Sequence, residues 1–266
     1  MRDGWRLAFG TLTVIRVAPP RVVDARTAGI AMLLAPVTAL PALVVWAALA
    51  ALVVHGLLPA AVGAALALVG TALLSRAMHL DGLADTADGL TASYDRGRAL
   101  EVMRRGDTGP AGAAALVLTL LVQAAALAAL MPSTVGVALA GAALVASRLA
   151  PAVCARTGIP AARPEGLGHT VAGSVQTGRL LGVGVGVVGV AALGAGLMGS
   201  TQGLVLPAAA ASVAVVLVSC AATEAVLRRS VLRFGGITGD VIGASMEIAL
   251  AASLVVGTLA LALVST

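Results

Sequence analysis

Runs of about 20 consecutive apolar residues recur along this chain, and they constrain its fold more than any other feature. A helix of about 20 apolar residues crosses the roughly 30 Å hydrocarbon core of a bilayer. Apolar residues make up 59% of the 266 residues and charged residues only 11%, which leaves too little polar surface for a water-soluble protein. The sequence therefore predicts an all-α, polytopic membrane bundle without a separate soluble domain.

Seven membrane spans are predicted, and the chain is interpreted as one membrane-embedded domain. We place the spans near residues 30–54, 57–76, 110–131, 133–153, 180–198, 204–226 and 242–264. Three longer loops cover residues 77–109, 154–179 and 227–241. Residues 1–29 form an N-terminal segment in which Trp5, Phe9 and Leu12 are near helical spacing, as in an amphipathic helix that lies in the membrane interface.

The basic residues are distributed on one side of the predicted topology. All 17 are arginines, and seven crossings put every one of them on the same side of the bilayer. The positive-inside rule assigns that side to the cytoplasm, so the N-terminus lies inside and the C-terminus outside. In a soluble protein the net charge of +5 would suggest nucleic acid. Here membrane topology accounts for the positive charge. The expected partner is therefore the lipid bilayer, and no nucleic acid is expected.

Three carboxylates are spaced at i, i+4 and i+7 in the segment HLDGLADTADGL, residues 79–90. On a helix, Asp81, Asp85 and Asp88 fall within roughly 60° of one another, and no Lys or Arg between residues 77 and 95 neutralises them. Mg²⁺ would relieve this repulsion, because it takes oxygen ligands and retains positions for substrate phosphates. We predict these aspartates as catalytic residues and Mg²⁺ ligands; a solvated acidic face is the alternative. His79 faces away from them, and a structural role fits it as well as a catalytic one.

Two glycine-rich helix starts lie on the same side of the membrane. GPAG at residues 109–112 opens the third span, and GGITGD at residues 235–240 opens the seventh. Free backbone N–H groups at such starts suit phosphate oxygens, although an ordinary turn is the alternative for each. The substrate-binding residues predicted here are Gly109, Gly236, Thr238, Gly239 and Asp240.

One buried acid and several charged side chains complete the candidate site. Glu247 lies about two turns into the seventh span, where an ionisable group is a functional candidate; pairing with an arginine is the structural alternative. The third loop, RPEGLGHT, contributes Arg163 and Glu165. Together with Arg104 and Arg148, these arginines suit a phosphate-rich substrate. Membrane anchoring also accounts for such arginines, with Arg148 snorkelling to the headgroups.

The segment HLDGLADTADGL closely resembles the hallmark of the adenosylcobinamide-GDP ribazoletransferase family, also called cobalamin synthases. LTVIRVAPP, EVMRRGDTGPAG, RPEGLG and GGITGDVIGASME agree with that family in order and spacing. The resemblance therefore covers roughly residues 7–247. One departure is RRGD at residues 104–107, where the family pattern has Lys-Asp-Ser-Arg, so no individual role is carried onto Arg105 or Asp107.

The resemblance implies a Mg²⁺-dependent enzyme of the bacterial cytoplasmic membrane that completes the lower nucleotide loop of cobalamin. A ribose hydroxyl of α-ribazole, or of its 5′-phosphate, would attack the cobinamide-linked phosphorus of adenosylcobinamide-GDP and release GMP. Such a transfer needs positioned phosphates, neutralised charge and a proton acceptor. One of the three aspartates would double as that acceptor.

Two other functions remain open from the residues themselves. Asp85-x-x-Asp88-Gly89 matches the start of the motif of CDP-alcohol phosphotransferases, which act on lipid headgroups, but no downstream Gly-x₃-Asp-x₃-Asp follows at the required spacing. A transporter would place polar groups near the bilayer midplane. Here the ionisable residues crowd the cytoplasmic edge, which favours an enzyme.

Overall fold

The computed structural model describes residues 1–92 and 94–264, and throughout these residues the regular structure is helical, with two isolated β-bridges and no strand. The α-helices are α1 (Arg2–Leu12), α2 (Ala25–Leu33), α3 (Leu40–Val54), α4 (Ala60–Leu74), α5 (Met78–Ala92), α6 (Arg96–Val102), α7 (Pro110–Leu130), α8 (Thr134–Ser147), α9 (Ala150–Cys154), α10 (Leu167–Val171), α11 (Thr177–Gly199), α12 (Val205–Phe234) and α13 (Gly239–Val264). Short 3₁₀ turns at Ala35–Ala39 and Ser200–Gln202 join α2 to α3 and α11 to α12. The predicted all-α class is confirmed.

Six helical segments in the described part of the chain are long and apolar enough to cross a membrane. They are Ala35–Val54, Pro110–Leu130, Thr134–Cys154, Thr177–Gln202, Val205–Phe234 and Gly239–Val264. The bent pair α4–α5 brings the number to seven, which confirms the predicted multi-pass bundle. In that pair the 15 residues of α4 amount to about 22 Å of helix.

Several predicted boundaries on the arginine-bearing side of the bundle are wrong. Helix α12 continues to Phe234, so the loop predicted at residues 227–241 is reduced to residues 235–238. The extra turns are stable outside the apolar run because Leu227 and Phe234 are buried in one apolar cluster with the start of α13. In the same way, α11 already begins at Thr177, and the loop predicted at residues 77–109 contains both α5 and α6.

The predicted amphipathic segment at the N-terminus is α1. Its Phe9 and Leu12 are buried, whereas Trp5 is 44% exposed and stacks on Phe9 with ring centroids 4.7 Å apart. This helix packs against α2 and so joins the arginine-bearing half of the bundle.

A 90° corner separates α4 from α5 and turns the aspartate-bearing helix away from the axis of α4. Arg76 and Ala77 form the corner with φ values of 57° and 54°, which are unfavourable for residues that carry a Cβ. The Arg76 guanidinium donates hydrogen bonds to the carbonyls of Gly10 at 3.1 Å and Thr11 at 3.0 Å. The end of α1 therefore holds the corner between α4 and α5 in place.

Helix α5 packs closely on α13 through glycines. A Cβ at Gly82 would lie 2.7 Å from the carbonyl oxygen of Asp240, and one at Gly243 would lie 3.1 Å from the Cα of His79. No side chain larger than hydrogen fits at these two positions without moving the backbone. The acidic face of α5 is thereby held next to the start of the last helix.

Candidate functional site

A cavity of about 260 Å³ lies between the start of α5, the third loop and the start of α13. Six of the predicted site residues line it: Asp81, Arg163, Glu165, Thr238, Gly239 and Asp240. The structure thus brings together charged residues from three segments that are far apart in the sequence. Apolar side chains complete the wall, among them Leu12, Met78, Ile242 and Met246.

The start of α13 is held in place by the third loop. The Ile237 N–H donates to the carbonyl of Pro160 at 2.9 Å, and the Ala162 N–H donates to the carbonyl of Ile237 at 2.9 Å. Thr238 then caps the helix, because its hydroxyl oxygen accepts from the Val241 N–H at 3.2 Å. The leading N–H groups of the first turn, which have no intrahelical acceptor, stand beside the cavity.

The two glycines predicted to approach a phosphate have different surroundings. A Cβ at Gly236 would lie 2.5 Å from the carbonyl carbon of Ala161 and 2.7 Å from the nitrogen of Ala162. Gly236 therefore serves the packing of one loop on the other. A Cβ at Gly239 would only touch Leu167 at 3.5 Å, so the cavity wall at Gly239 has room for a ligand.

Negative charge accumulates where α5 meets α13. Burial and the carboxylates of Asp240, Asp81 and Asp88 raise the pKa of Asp85 from 3.8 to about 7, and Arg163 opposes this shift. The Arg163 Nη1 lies 3.9 Å from the nearer carboxylate oxygen of Asp240. One cation therefore faces several acids, and this excess of negative charge suits a bound divalent cation.

Asp88 lies outside the cavity and caps a helix. Its Oδ2 accepts the Gly109 N–H at 2.7 Å, and its Oδ1 accepts the Gly112 N–H at 2.8 Å. The carboxylate thus occupies the anion site at the start of α7 that was predicted to hold a substrate phosphate. Across residues 1–92 and 94–264, no group of three His, Cys, Asp or Glu side chains is close enough to hold a metal ion together. The predicted ligand set with Asp81 and Asp85 is therefore not preformed.

Arg148 and Glu247 form an ion pair inside the bundle. The Arg148 Nη1 lies 3.9 Å from Glu247 Oε1, and Gln123 Nε2 donates to Glu247 Oε2 at 2.9 Å. The two charged residues are only 3% and 4% exposed. Glu247 therefore pairs with an arginine, which was the structural alternative for this residue. The expected snorkelling of Arg148 is wrong, because its guanidinium turns inward to a buried carboxylate.

His79 lies between this ion pair and the cavity. It is 4% exposed and lines the cavity, with its Nδ1 3.9 Å from Glu247 Oε1. Neither ring nitrogen has a hydrogen-bond partner within the described residues. Burial and the nearby Arg148 hold the pKa of His79 well below its usual value, so the ring is neutral, with one donor and one acceptor nitrogen. The spacing of residues on α5 could not predict this position of His79, because it does not show which helix packs against α5.

Arg104 lies next to Glu165, which lines the cavity. Its Nη2 is 3.5 Å from Glu165 Oε1, and both side chains are exposed. Such a surface pair adds little stability, so both groups remain available to a ligand.

Comparisons with known proteins agree on one family. The family described as "Cobalamin-5-phosphate synthase" matches residues 4–258. The chain is similar to proteins named "Adenosylcobinamide-GDP ribazoletransferase": 49% identical to that of a Nocardioides species, over 96% of this chain and 97% of the relative. The corresponding values are 40%, 94% and 92% for Frankia casuarinae, and 34%, 94% and 95% for Stutzerimonas stutzeri. No solved structure matches this chain.

Proposed function

Because the chain belongs to the cobalamin-5-phosphate synthase family, we propose that it joins adenosylcobinamide-GDP to α-ribazole, or to α-ribazole 5′-phosphate, in the last stage of cobalamin synthesis. The observation that supports this most directly is the convergence of Asp81, Asp240 and Arg163 on one cavity. Phosphoryl transfer needs acidic and basic groups at the same place, because charge must be both neutralised and positioned.

The reaction replaces one phosphorus–oxygen bond by another. A ribose hydroxyl oxygen of the acceptor attacks the cobinamide-linked phosphorus, the bond from that phosphorus to the bridging oxygen breaks, and GMP leaves with the bonding pair. Arg163 and the leading N–H groups of α13 bind phosphate oxygens. The hydroxyl proton passes to one of the neighbouring carboxylates. Among these, Asp85 has a pKa of about 7, which suits a proton acceptor near neutral pH.

The acidic residues around the cavity fit Mg²⁺. This ion is commonly bound by one or two carboxylates, waters and substrate phosphates, so three converging protein ligands are not needed beforehand. Asp81 and Asp240, which both line the cavity, would hold it. When bound, Mg²⁺ supplies positive charge that offsets the charge of the diphosphate. Asp88 is not part of this set, because both of its carboxylate oxygens accept N–H groups of α7.

We also propose that the reaction takes place at the cytoplasmic face of the bacterial plasma membrane. The cavity lies among the arginine-bearing loops, and the positive-inside rule puts those loops in the cytoplasm. Both soluble substrates would then reach the site from the compartment in which nucleotides are made.

Reconstitution of the purified protein in nanodiscs tests this function. With adenosylcobinamide-GDP, α-ribazole 5′-phosphate and Mg²⁺, we expect equal amounts of GMP and of the joined corrinoid product by chromatography and mass spectrometry. Asp81→Asn should lower turnover by about 10²-fold or more. Asp107→Asn, at an exposed acid that does not line the cavity, is the matched control and should retain activity. Folded wild-type protein that releases no GMP would contradict the proposal.

A further inference from the structure

The cavity between α5, the third loop and α13 has a polar end and an apolar end. Residues 239–246 of α13 run along it, which corresponds to about 10 Å of helix. Thr238 and Asp240 lie at the outer end of this stretch, whereas Ile242 and Met246 lie deeper in the bundle. A ligand that filled the cavity would therefore place charged or hydroxyl groups at the outer end and an apolar ring system at the inner end.

The size of the cavity distinguishes between the two substrates of the proposed reaction. Its volume of about 260 Å³ is just below the roughly 300–1,000 Å³ of pockets that bury drug-sized ligands. A corrinoid with its nucleotide is much larger than such a ligand. A two-ring heterocycle with an attached ribose matches the space, with the ribose at the outer end.

The inner end offers contacts that suit an aromatic heterocycle. Met78 and Met246 line it, and thioethers make favourable contacts with aromatic rings. His79 stands beside Gly243 in the same wall, buried and with both nitrogens unpartnered in the described part of the chain. Buried polar groups without a partner are rare in native proteins, so a ligand atom that accepts from this imidazole would complete its hydrogen bonding.

We propose that the inner end of this cavity binds the benzimidazole base of the ribazole acceptor, with His79 donating a hydrogen bond to the unsubstituted ring nitrogen. The inference rests on the proposed function, since it assigns one substrate of that reaction to one part of the site. The ribose then lies at the outer end beside Asp81 and Arg163, where its hydroxyl meets the diphosphate of the other substrate. Base selectivity resides in the apolar wall and in His79.

Steady-state kinetics with each substrate varied in turn test the assignment. Met78→Ala removes part of the apolar wall at a partly exposed residue, and His79→Gln alters the hydrogen-bonding group. Both variants should raise the KM for α-ribazole 5′-phosphate about 10-fold or more and change the KM for adenosylcobinamide-GDP less than about 2-fold. Leu80→Ala, on the same helix but outside the cavity lining, is the matched control and should change neither KM.

Calorimetric titration with α-ribazole alone provides a measurement that does not depend on turnover. We expect wild-type protein to bind the nucleoside and Met78→Ala to bind it about 10-fold more weakly, with Leu80→Ala unchanged. A rise in the KM for adenosylcobinamide-GDP alone, or nucleoside binding that Met78→Ala leaves unchanged, would overturn the assignment. In either case formation of the joined product by wild-type protein would leave the proposed function intact. If His79→Gln fails to fold, the comparison of Met78→Ala with Leu80→Ala still tests whether the inner end of the cavity binds the base.

Discussion

Asp88→Asn distinguishes a helix cap from a metal ligand at the third aspartate of α5. The carboxylate accepts two backbone N–H groups, from Gly109 at 2.7 Å in a partly buried position and from Gly112 at 2.8 Å in a buried one. An amide has only one acceptor oxygen, so one N–H loses its partner. A hydrogen bond to a charged group contributes about 1.5–3 kcal/mol, and a negative charge at a helix N-terminus about 0.3–1 kcal/mol. We therefore expect the free energy of unfolding to fall by about 2–4 kcal/mol.

Thermal unfolding in detergent measures this change. Cys154 is fully buried, so its reaction with a thiol-reactive dye reports loss of the folded state. In soluble domains of similar size, each kcal/mol shifts the midpoint by about 2–4 °C, which gives an expected decrease of about 4–16 °C. Asp81→Asn, at an exposed acid of the same helix, should unfold within about 2 °C of wild type, although its turnover is expected to fall by about 10²-fold or more.

The two interpretations of Asp88 differ in the Mg²⁺ affinity they predict for Asp88→Asn, since the spacing of the aspartates predicts Asp88 as a Mg²⁺ ligand. If Asp88 caps α7, the folded fraction of Asp88→Asn should bind Mg²⁺ about as well as wild type. An unchanged midpoint together with a loss of Mg²⁺ affinity would refute the capping interpretation and return Asp88 to the metal ligands predicted from its spacing.

Three further measurements test other parts of the account. The Asp85 carboxyl has a pKa of about 7 in the folded protein, against an ordinary 3.8. Between about pH 4 and pH 7 the folded state therefore binds more protons than the unfolded state. Without divalent cations, the thermal midpoint should fall as the pH rises from about 4 to 7. Asp85→Asn should weaken this dependence, and the part that remains is expected from Asp240, whose pKa burial also raises. Arg148→Met and Glu247→Gln should each destabilise the protein by about 3–5 kcal/mol, whereas the double variant should recover part of the loss; additive losses would exclude the ion pair. In spheroplasts without native cysteines, an impermeant thiol reagent should label Ser200→Cys but not Thr108→Cys, and the reverse pattern would invert the topology.

The membrane fold could be predicted from the sequence because its determinants are local. Each apolar run is long enough to predict one span by itself, and the arginines between the runs indicate which ends lie on the same side. The resemblance to the family is confirmed by the match over residues 4–258. Boundaries were less predictable where tertiary packing extends a helix. Phe234 is buried against the start of α13, so α12 continues beyond the apolar run that defined its span.

The roles of individual site residues depended on distant partners that spacing does not show. Asp88 has the helical register of a metal ligand, yet its hydrogen bonds go to glycines of another helix. Glu247 pairs with Arg148, which comes from a helix far away in the chain. Asp81, Asp240 and Arg163 do meet at one cavity. Their convergence follows from the glycine-mediated packing of α5 on α13, which no single segment encodes.

The position of the substrate diphosphate tests the central claim most directly. A cryo-electron microscopy structure of the protein in nanodiscs, with adenosylcobinamide-GDP and Mg²⁺ and without acceptor, would locate it. We predict diphosphate density at the outer end of the cavity, between Arg163 and the carboxylates of Asp81 and Asp240, with the inner end free for the acceptor base. Diphosphate density at the start of α7 or on exposed arginines, with the cavity unoccupied, would contradict the account.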